Sequence, residues 1–370
     1  MRVLKEHVAI VGGGTAGMIA ARALSRRGIK TTVYEQKSVI GYPIHASGIL
    51  SLNGLSGLGI DYRGAMTNTL RGANLHAAGG TLRIMTREPV AAVLDRKRLN
   101  EICRDEAEDA GANVAVRRRI TPSDLNSMGK DSVIVGADGA VSAVARHFSM
   151  GRIARHVLTF KAEYNISAQE PEVVDLFFDR RIYKGLFAWI CPNAKDIVEI
   201  GIGVDSGFMN SKLAFERFLQ TKEVAGLIDG SRPMAEGASM IPMARRERIV
   251  DEEREVLLVG DAAGQVKATT GGGIIFGGNA ALMAARAIDA RMKEGKNLSD
   301  YERMYMNEYG MEMRLHSFVN KFYSSMSPGG LAKMIKLAKA VGMEGFLSKY
   351  GDMDLPSLMI KRFFLRSLAD

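Results

Sequence analysis

Three glycines near the amino terminus have a spacing with chemical meaning. Gly12, Gly14 and Gly17 form a GxGxxG pattern directly after the apolar run "HVAIV" and before a segment with helical apolar spacing. Such glycines permit a tight turn, close approach of a pyrophosphate to the backbone and close packing of a helix on a strand. The amino terminus of the following helix favours the negative charge. The pattern therefore predicts a dinucleotide site.

An acidic residue lies at the position where dinucleotide sites have a carboxylate that binds the ribose. Glu35 ends the second predicted strand, "IKTTVYEQ". A carboxylate at this place accepts hydrogen bonds from the hydroxyl groups of a ribose. An acid also favours a ribose without a 2′-phosphate, so the residue favours FAD or NAD over NADP.

Two later segments place an Asp–Gly or Gly–Asp pair after a predicted strand. "VIVGADGAVSAVAR" contains Asp138 and Gly139, and "EVLLVGDAAGQ" contains Gly260 and Asp261. With the glycine pattern they resemble, in order and spacing, the motifs of the FAD-dependent two-domain oxidoreductases built like p-hydroxybenzoate hydroxylase. The resemblance implies FAD as the cofactor, with Asp261 on the ribityl O3′ and Arg96, which opens a predicted helix, near the pyrophosphate.

A glycine-rich segment has an expected role beside the flavin. In "KATTGGGIIFGGNAAL", Gly271, Gly272 and Gly273 lead into a long predicted helix. Backbone N–H groups and the helix dipole at such a terminus stabilise the negative charge of a reduced flavin. The resemblance extends the predicted FAD site to further positions of these motifs, which are Thr15, Ala16, Gln36, Ala46, Ser47, Gly48 and Ile274.

The only tryptophan of the chain lies in a stretch that points to one branch of these oxidoreductases. In "GLFAWICPN", Phe187, Trp189 and Cys191 share one side of a predicted strand, which Pro192 is expected to end. The stretch resembles the YxWxFP pattern of the geranylgeranyl reductases. The loop "GYPIHASGILS" resembles their G-x-P-x-x-C-x-G loop, with Ala46 in place of the cysteine. This resemblance implies that the four residues of the strand line a cavity for a polyprenyl lipid.

The reaction implied by the resemblance is the saturation of isoprenoid double bonds. Hydride from N5 of reduced flavin reaches one alkene carbon, and the other carbon is protonated. The candidate proton donors are His45, whose ordinary pKa suits proton transfer, and Ser47. NAD(P)H and reduced ferredoxin both stay open as electron donors, and the second would be a protein partner.

Two other functions stay open from the sequence. The first is an FAD-dependent monooxygenase that hydroxylates an aromatic compound or a polyketide. The second is a flavin-containing protein without hydroxylating activity, either a cyclase or an electron carrier.

The elements that must position these residues predict an α/β fold. We expect a Rossmann-like FAD-binding domain in three pieces, 1–68, 95–150 and 250–297. An inserted antiparallel-sheet substrate domain is expected from 69–94 and 151–249, and a helical region from 298–370.

Composition excludes several other classes of protein. The net charge is +9 and cysteine occurs only twice, which favours a reducing, cytoplasmic setting over a disulfide framework. The sequence shows no nucleic-acid motif, zinc pattern, signal peptide or apolar run of the roughly 18 residues that a membrane span needs. The basic segment "LAKMIKLAKAVG" fits a helix docked on the protein or, as the alternative, one that lies peripherally on a membrane.

Overall fold

The computed structural model describes residues 5–42, 46–78, 80–179 and 184–367, and of residues 363–367 the helical backbone alone. The strands in chain order are β1 (His7–Val11), β2 (Lys30–Tyr34), β3 (Ile49–Ser51), β4 (Met66–Leu70), β5 (Gly72–Ala77), β6 (Gly80–Met85), β7 (Ala91–Leu94), β8 (Asn113–Ala115), β9 (Ser132–Gly136), β10 (His156–Tyr164), β11 (Val173–Phe177), β12 (Gly185–Ala194), β13 (Ile197–Asp205), β14 (Ala235–Pro242), β15 (Val250–Asp251) and β16 (Val256–Leu258). The α-helices are α1 (Thr15–Ser25), α2 (Leu52–Gly57), α3 (Arg96–Asp109), α4 (Pro122–Asp131), α5 (Ala143–His147), α6 (Ser211–Leu219), α7 (Lys222–Ile228), α8 (Ile274–Glu294), α9 (Asp300–Ser325), α10 (Pro328–Ala340), α11 (Met343–Tyr350) and α12 (Pro356–Ser367).

A six-stranded sheet forms the amino-terminal half of the fold, in the order β15-β16-β9-β1-β2-β8. The pairs of β1 with β2 and β9, of β9 with β16 and of β2 with β8 are parallel. Val8, Ala9 and Ile10 of β1 are fully buried. Such continuous apolar runs are typical of parallel strands that are covered on both faces. This is the Rossmann-like part of the predicted fold.

A seven-stranded sheet forms the second layer, in the order β14-β10-β13-β12-β11-β5-β6. Its neighbouring strands are antiparallel, except that β5 runs parallel to β11. A parallel pair needs a long connection, and here strands β6 to β10 lie between the two strands in sequence. The remaining strands form a small third sheet in the order β3-β7-β4. The loop expected at "GYPIHASGILS" is wrong at its end, where Ile49–Ser51 forms β3, and α2 follows directly.

Strand β12 carries the single tryptophan and has the predicted alternation. Phe187, Trp189 and Cys191 pack in one apolar cluster, whereas Ala188 and Ile190 pack in another with helix α6. The prediction that Pro192 ends the strand is wrong, because β12 continues to Ala194 with a shift of register. Pairing with β11 stops opposite Ile190, so Pro192 has lost one neighbouring strand, and proline is tolerated at such an edge.

The carboxyl-terminal region is helical, as expected. Its helices are interrupted at Ser327, before Pro356 and at Gly342, whose φ of 70° is unfavourable for other residues. Helix α10 packs Leu331 and Ile335 against strands β5 and β6. Among the described residues, no helix is both long and apolar enough to cross a bilayer.

Candidate active site

A cavity of about 450 Å³ lies between the six-stranded sheet, the seven-stranded sheet and the loop before α8. This volume is within the usual range of small-molecule sites. It brings together residues that are far apart in sequence. Of the residues predicted to bind FAD or substrate, the lining contains Gly14, Thr15, Ala16, Ala46, Ser47, Arg96, Gly139, Phe187, Trp189, Gly260, Asp261, Gly271, Gly272, Gly273 and Ile274.

The turn after β1 has the geometry that the glycine pattern predicts. Gly12 has a φ of 105°, and a Cβ there would collide with the carbonyl oxygen of Ala137. A Cβ on Gly17 would collide with the carbonyl oxygen of Gly12, so helix α1 lies directly on the turn. At Gly14 a Cβ would meet no atom within 4 Å, which leaves room for a ligand. No side chain caps α1, and its first turn contains no acidic residue, so its N–H groups can bind an anion.

Glu35 lies against this turn rather than in the cavity lining. Its carboxylate accepts hydrogen bonds from the backbone N–H groups of Gly13 and Lys37, each at 2.8 Å. The acid is therefore held beside the glycine turn, where a ribose would lie. Its contact with a ribose stays a prediction, as does a role for the exposed Gln36.

Three lining residues, Asp261, Arg96 and Ser47, are suited to bind polar parts of a cofactor. Burial raises the pKa of the Asp261 carboxyl to about 6, and the guanidinium of Arg96 opposes this rise. The buried Nε of Arg96 and Oγ of Ser47 have no hydrogen-bond partner among the described residues. A buried polar group without a partner is unfavourable. The phosphate and hydroxyl oxygens of FAD are of the kind that would satisfy these atoms, so the residues present fit this cofactor.

The glycine loop before α8 also lines the cavity. Gly271 has a φ of 76°, and its N–H donates to the carbonyl of Lys267 at 2.8 Å. Gly273 precedes α8 without a side-chain cap, and no acid follows in the first turn. The positive end of the helix dipole therefore faces a region that a flavin could occupy.

One wall of the cavity is apolar and comes from the seven-stranded sheet. Phe187 and Trp189 of β12 line it, with an edge-to-face ring contact at 6.3 Å. Val174, Leu176 and Leu186 extend the apolar surface. Cavity walls of this composition suit a hydrocarbon chain.

Two buried ion pairs at the cavity were missed by the sequence analysis. Lys161 pairs with Glu199, and the lysine lines the cavity. Lys267 pairs with Asp354, whose carboxylate also accepts from the hydroxyl of Ser51. For the first pair the available signal was a charged residue within each of two otherwise apolar strands, "VLTFKAEY" and "IVEIGIGV".

Several predicted site residues lie elsewhere. The carboxylate of Asp138 caps α5 by accepting from Ser142 Oγ at 2.6 Å and from the N–H of Ala143 at 2.7 Å. A Cβ on Gly48 would collide with the carbonyl of Leu94, so this glycine serves strand packing. Cys191 and Pro192 lie outside the lining, and burial raises the pKa of the Cys191 thiol. His45 lies outside the described residues. No metal-binding cluster occurs in the described part of the chain.

Comparison with known proteins bears on the site as a whole. Residues 10–63 match the family model of an NAD(P)-binding Rossmann-like domain. Digeranylgeranylglycerophospholipid reductase 1 of Methanothermobacter thermautotrophicus is 26% identical over 370 residues, which cover 92% of each protein. The similarity to this reductase thus extends over nearly the whole length of both proteins. The family resemblance predicted from the sequence motifs is confirmed.

Two solved structures have the same fold as this chain. A geranylgeranyl bacteriochlorophyll reductase-like protein of Thermoplasma acidophilum has a TM-score of 0.80 at 19% identity, with coverage of 95% of this chain and 99% of that one. The flavin-dependent halogenase CmlS has a TM-score of 0.64 at 19% identity, with coverage of 85% and 64%. The predicted fold class is confirmed, and FAD is the cofactor that the family and its neighbours imply.

Proposed function

We propose that the protein is an FAD-dependent reductase that saturates geranylgeranyl double bonds of a lipid or of a prenyl-diphosphate precursor. The name of the full-length relative in Methanothermobacter thermautotrophicus supports this reaction. The observation that carries the proposal is the position of the apolar wall with Phe187 and Trp189, in the same cavity as the glycine loop 271–273 and Asp261.

The chain supplies the binding groups for the cofactor. The N–H groups at the start of α1, together with Arg96, would hold the pyrophosphate, and Asp261 would accept from a ribityl hydroxyl. The loop at Gly271–Gly273 would stabilise negative charge on the flavin through its N–H groups. When bound and reduced, FAD supplies the hydride for the reaction.

The chain also orients the substrate and excludes water. An isolated double bond offers no polar group to bind, so its position depends on how the hydrocarbon packs. The wall of Val174, Leu176, Leu186, Phe187 and Trp189 supplies that packing. Ser47, whose hydroxyl has no partner among the described residues, and His45 stay the predicted sources of the proton.

The electron donor is either NAD(P)H or a reduced ferredoxin. Anaerobic mixing of the oxidised holoenzyme with each donor separates the two, because the effective donor bleaches the visible absorbance of the flavin. Bleaching by ferredoxin alone would make an iron–sulfur protein the partner.

We also propose that the protein meets its lipid at a membrane surface. Phe318 and Phe322 on α9 stack on each other and are 65% and 47% exposed. Exposed aromatic and basic side chains are typical of helices that lie in a membrane interface. The basic residues of α10 point to solvent while its apolar side packs on the protein; these are Lys333, Lys336 and Lys339.

Sedimentation with anionic liposomes tests the membrane contact. Replacement of both phenylalanines by serine should reduce the bound fraction several-fold and leave thermal stability unchanged, because neither ring is buried. Equal binding of this variant and the wild type would remove α9 from the contact.

Anaerobic reoxidation of the flavin tests the proposed reaction. The bound flavin is reduced with one equivalent of dithionite and then mixed with a geranylgeranyl lipid or with its fully saturated counterpart. Visible absorbance should return with the unsaturated lipid alone. If neither lipid restores it while an aromatic compound stimulates NAD(P)H oxidation in air, the protein is a monooxygenase.

A further inference from the structure

Glu199 is a fully buried carboxylate with two partners, one on each neighbouring strand. Its Oε1 accepts a hydrogen bond from the indole Nε1 of Trp189 on β12 at 2.8 Å. Its Oε2 accepts from the Nζ of Lys161 on β10 at 2.5 Å. The carboxylate therefore links the tryptophan of the cavity wall to a lysine that also lines the cavity.

The register of the sheet explains how the side chains of Lys161 and Trp189 both reach Glu199. Gly201 of β13 is opposite both Lys161 of β10 and Trp189 of β12, so the three residues form one row across the sheet. A Cβ on Gly201 would collide with the six-membered ring of the indole. The indole therefore lies over the glycine, with Phe187 against it and Glu199 at its N–H.

Stability alone is a weak reason for this arrangement. A buried ion pair must offset the desolvation of both charges, and apolar residues of similar volume often stabilise a protein as well or better. A buried indole N–H needs only one acceptor, which could be neutral. What Glu199 adds is an acceptor at a fixed place beside the indole N–H, and Lys161 supplies the counter-charge that the buried carboxylate needs.

We propose that Glu199, with its charge balanced by Lys161, is a positioning residue that holds Trp189 in one orientation through the indole N–H and so sets the register of the prenyl chain in the cavity. This inference rests on the proposed reductase function. A chain of repeated isoprene units can slide by one unit at little cost, so the shape of the wall decides which double bond is presented for reduction. The pattern of bonds reduced is then a property of the indole orientation.

A pair of charge-neutral double variants tests this role. Lys161→Met with Glu199→Gln removes both charges and keeps an acceptor for the indole N–H. Lys161→Met with Glu199→Leu removes the charges and the acceptor together. Because both lack the ion pair, they differ only in the group that meets the indole. The readouts are the near-ultraviolet circular dichroism of the sole tryptophan, bound FAD, and the distribution of partially reduced lipids by mass spectrometry.

We expect the two double variants to differ according to whether residue 199 can accept a hydrogen bond from the indole N–H. The glutamine variant should keep the wild-type tryptophan signal and product distribution. The leucine variant should lose that signal and form roughly tenfold less fully saturated product, with kcat lowered more than KM, because misplacement by about 1 Å is costly in a positioned reaction. Wild-type behaviour of both variants would overturn the proposal. Equal loss in both, with FAD bound, would also overturn it and give the lysine charge a direct role.

Trp189→Phe provides a second test in case the double variants fold poorly. It keeps the ion pair and an aromatic ring and removes the N–H together with the five-membered ring, so it should change the product distribution at least as much as the leucine variant does. An unchanged distribution would show that the hydrogen bond positions nothing. Glu163→Gln is the control, because Glu163 approaches Lys161 at 3.5 Å whereas the indole N–H donates to Glu199.

Failure of the proposed function is distinguishable from failure of this inference. If the wild type reduces no prenyl lipid, the reductase function fails. The circular dichroism comparison would still show whether Glu199 holds the indole.

Discussion

The two sides of the cavity differ in how their chemistry is encoded. On the side of the six-stranded sheet, glycines are required wherever a side chain would collide with backbone, as at Gly12 and Gly17. On the side of the seven-stranded sheet, the decisive residues are a buried lysine and glutamate on separate strands. The first kind of constraint is local in sequence and forms a motif. The second exists only after strands β10, β13 and β12 have paired.

The largest expected effect tests the local constraint. Gly17→Ala should prevent normal packing of α1 on the turn and yield protein without FAD, because its Cβ would lie 2.1 Å from the backbone carbonyl oxygen of Gly12. Gly14→Ala is the matched control, since a Cβ there meets no atom within 4 Å. It should keep the thermal stability of the FAD-free protein. The ratio of visible to ultraviolet absorbance and a thermal melt measure both; equal behaviour of the two variants would contradict the assignment.

A comparable effect is expected from the ion pair of Lys267 and Asp354. Asp354→Asn leaves a buried ammonium group without its counter-charge, which costs about 3–5 kcal/mol. We expect faster hydrogen exchange in residues 351–357, which lie against the cavity. Replacement of both residues, by methionine and leucine, should largely restore protection. Slow exchange in the single variant would show that this pair does not hold the segment.

The next effect concerns the wall of the seven-stranded sheet. Trp189→Ala should lower turnover of a geranylgeranyl lipid roughly 100-fold, because the hydrocarbon loses its position. FAD should stay bound, since no cofactor motif is touched. Ile190→Val is the control, because that side chain packs away from the cavity with α6. Steady-state kinetics and flavin absorbance measure both variants. Undiminished turnover by the Trp189→Ala variant would contradict the role of Trp189 in the wall that binds the hydrocarbon.

The smallest effect concerns Asp261 and depends on pH. Burial raises the pKa of its carboxyl from 3.8 to about 6. Because the raised value favours the neutral form in the fold, this contribution to stability is present at low pH and is lost as the pH rises from about 4 to about 6. A hydroxyl of FAD donates best to the ionised form, so FAD affinity should rise over the same range.

Asp261→Asn separates this titration from others. FAD affinity at neutral pH should fall about tenfold, as expected for one hydrogen bond to a charged acceptor. The rise of affinity between about pH 4 and 6 should be absent. Fluorescence titration of FAD at several pH values measures this, and an unchanged pH profile would assign the effect to another group.

The same contrast explains how much the sequence could predict. The Rossmann-like turn, the alternation of Phe187 and Trp189 along β12 and the long helix after Gly273 follow from local spacing, and the structure contains all three. The parallel pairing of β5 with β11 could not be predicted, because strands β6 to β10 lie between the two in sequence. Helix α4 was missed although its Thr121–Asp124 capping box is a local signal.

The candidate site divides in the same way. Asp261 and Arg96 were found because each follows a motif. Lys161, Glu199 and Asp354 were not, because a charged residue in an apolar strand or a terminal loop does not reveal its partner. Asp138 was assigned to the cofactor by resemblance, whereas its carboxylate caps α5 in the structure. A motif locates the backbone of a site more reliably than it assigns the direction of each side chain.

Mass spectrometry of the lipid product tests the central claim most directly. Purified holoenzyme is incubated without oxygen with dithionite and a digeranylgeranylglycerol phospholipid, and the lipid is extracted. We predict mass gains in steps of two hydrogen atoms, which only saturation of double bonds produces. An unchanged lipid mass, from protein whose FAD is fully bound and bleached by dithionite, would contradict the account.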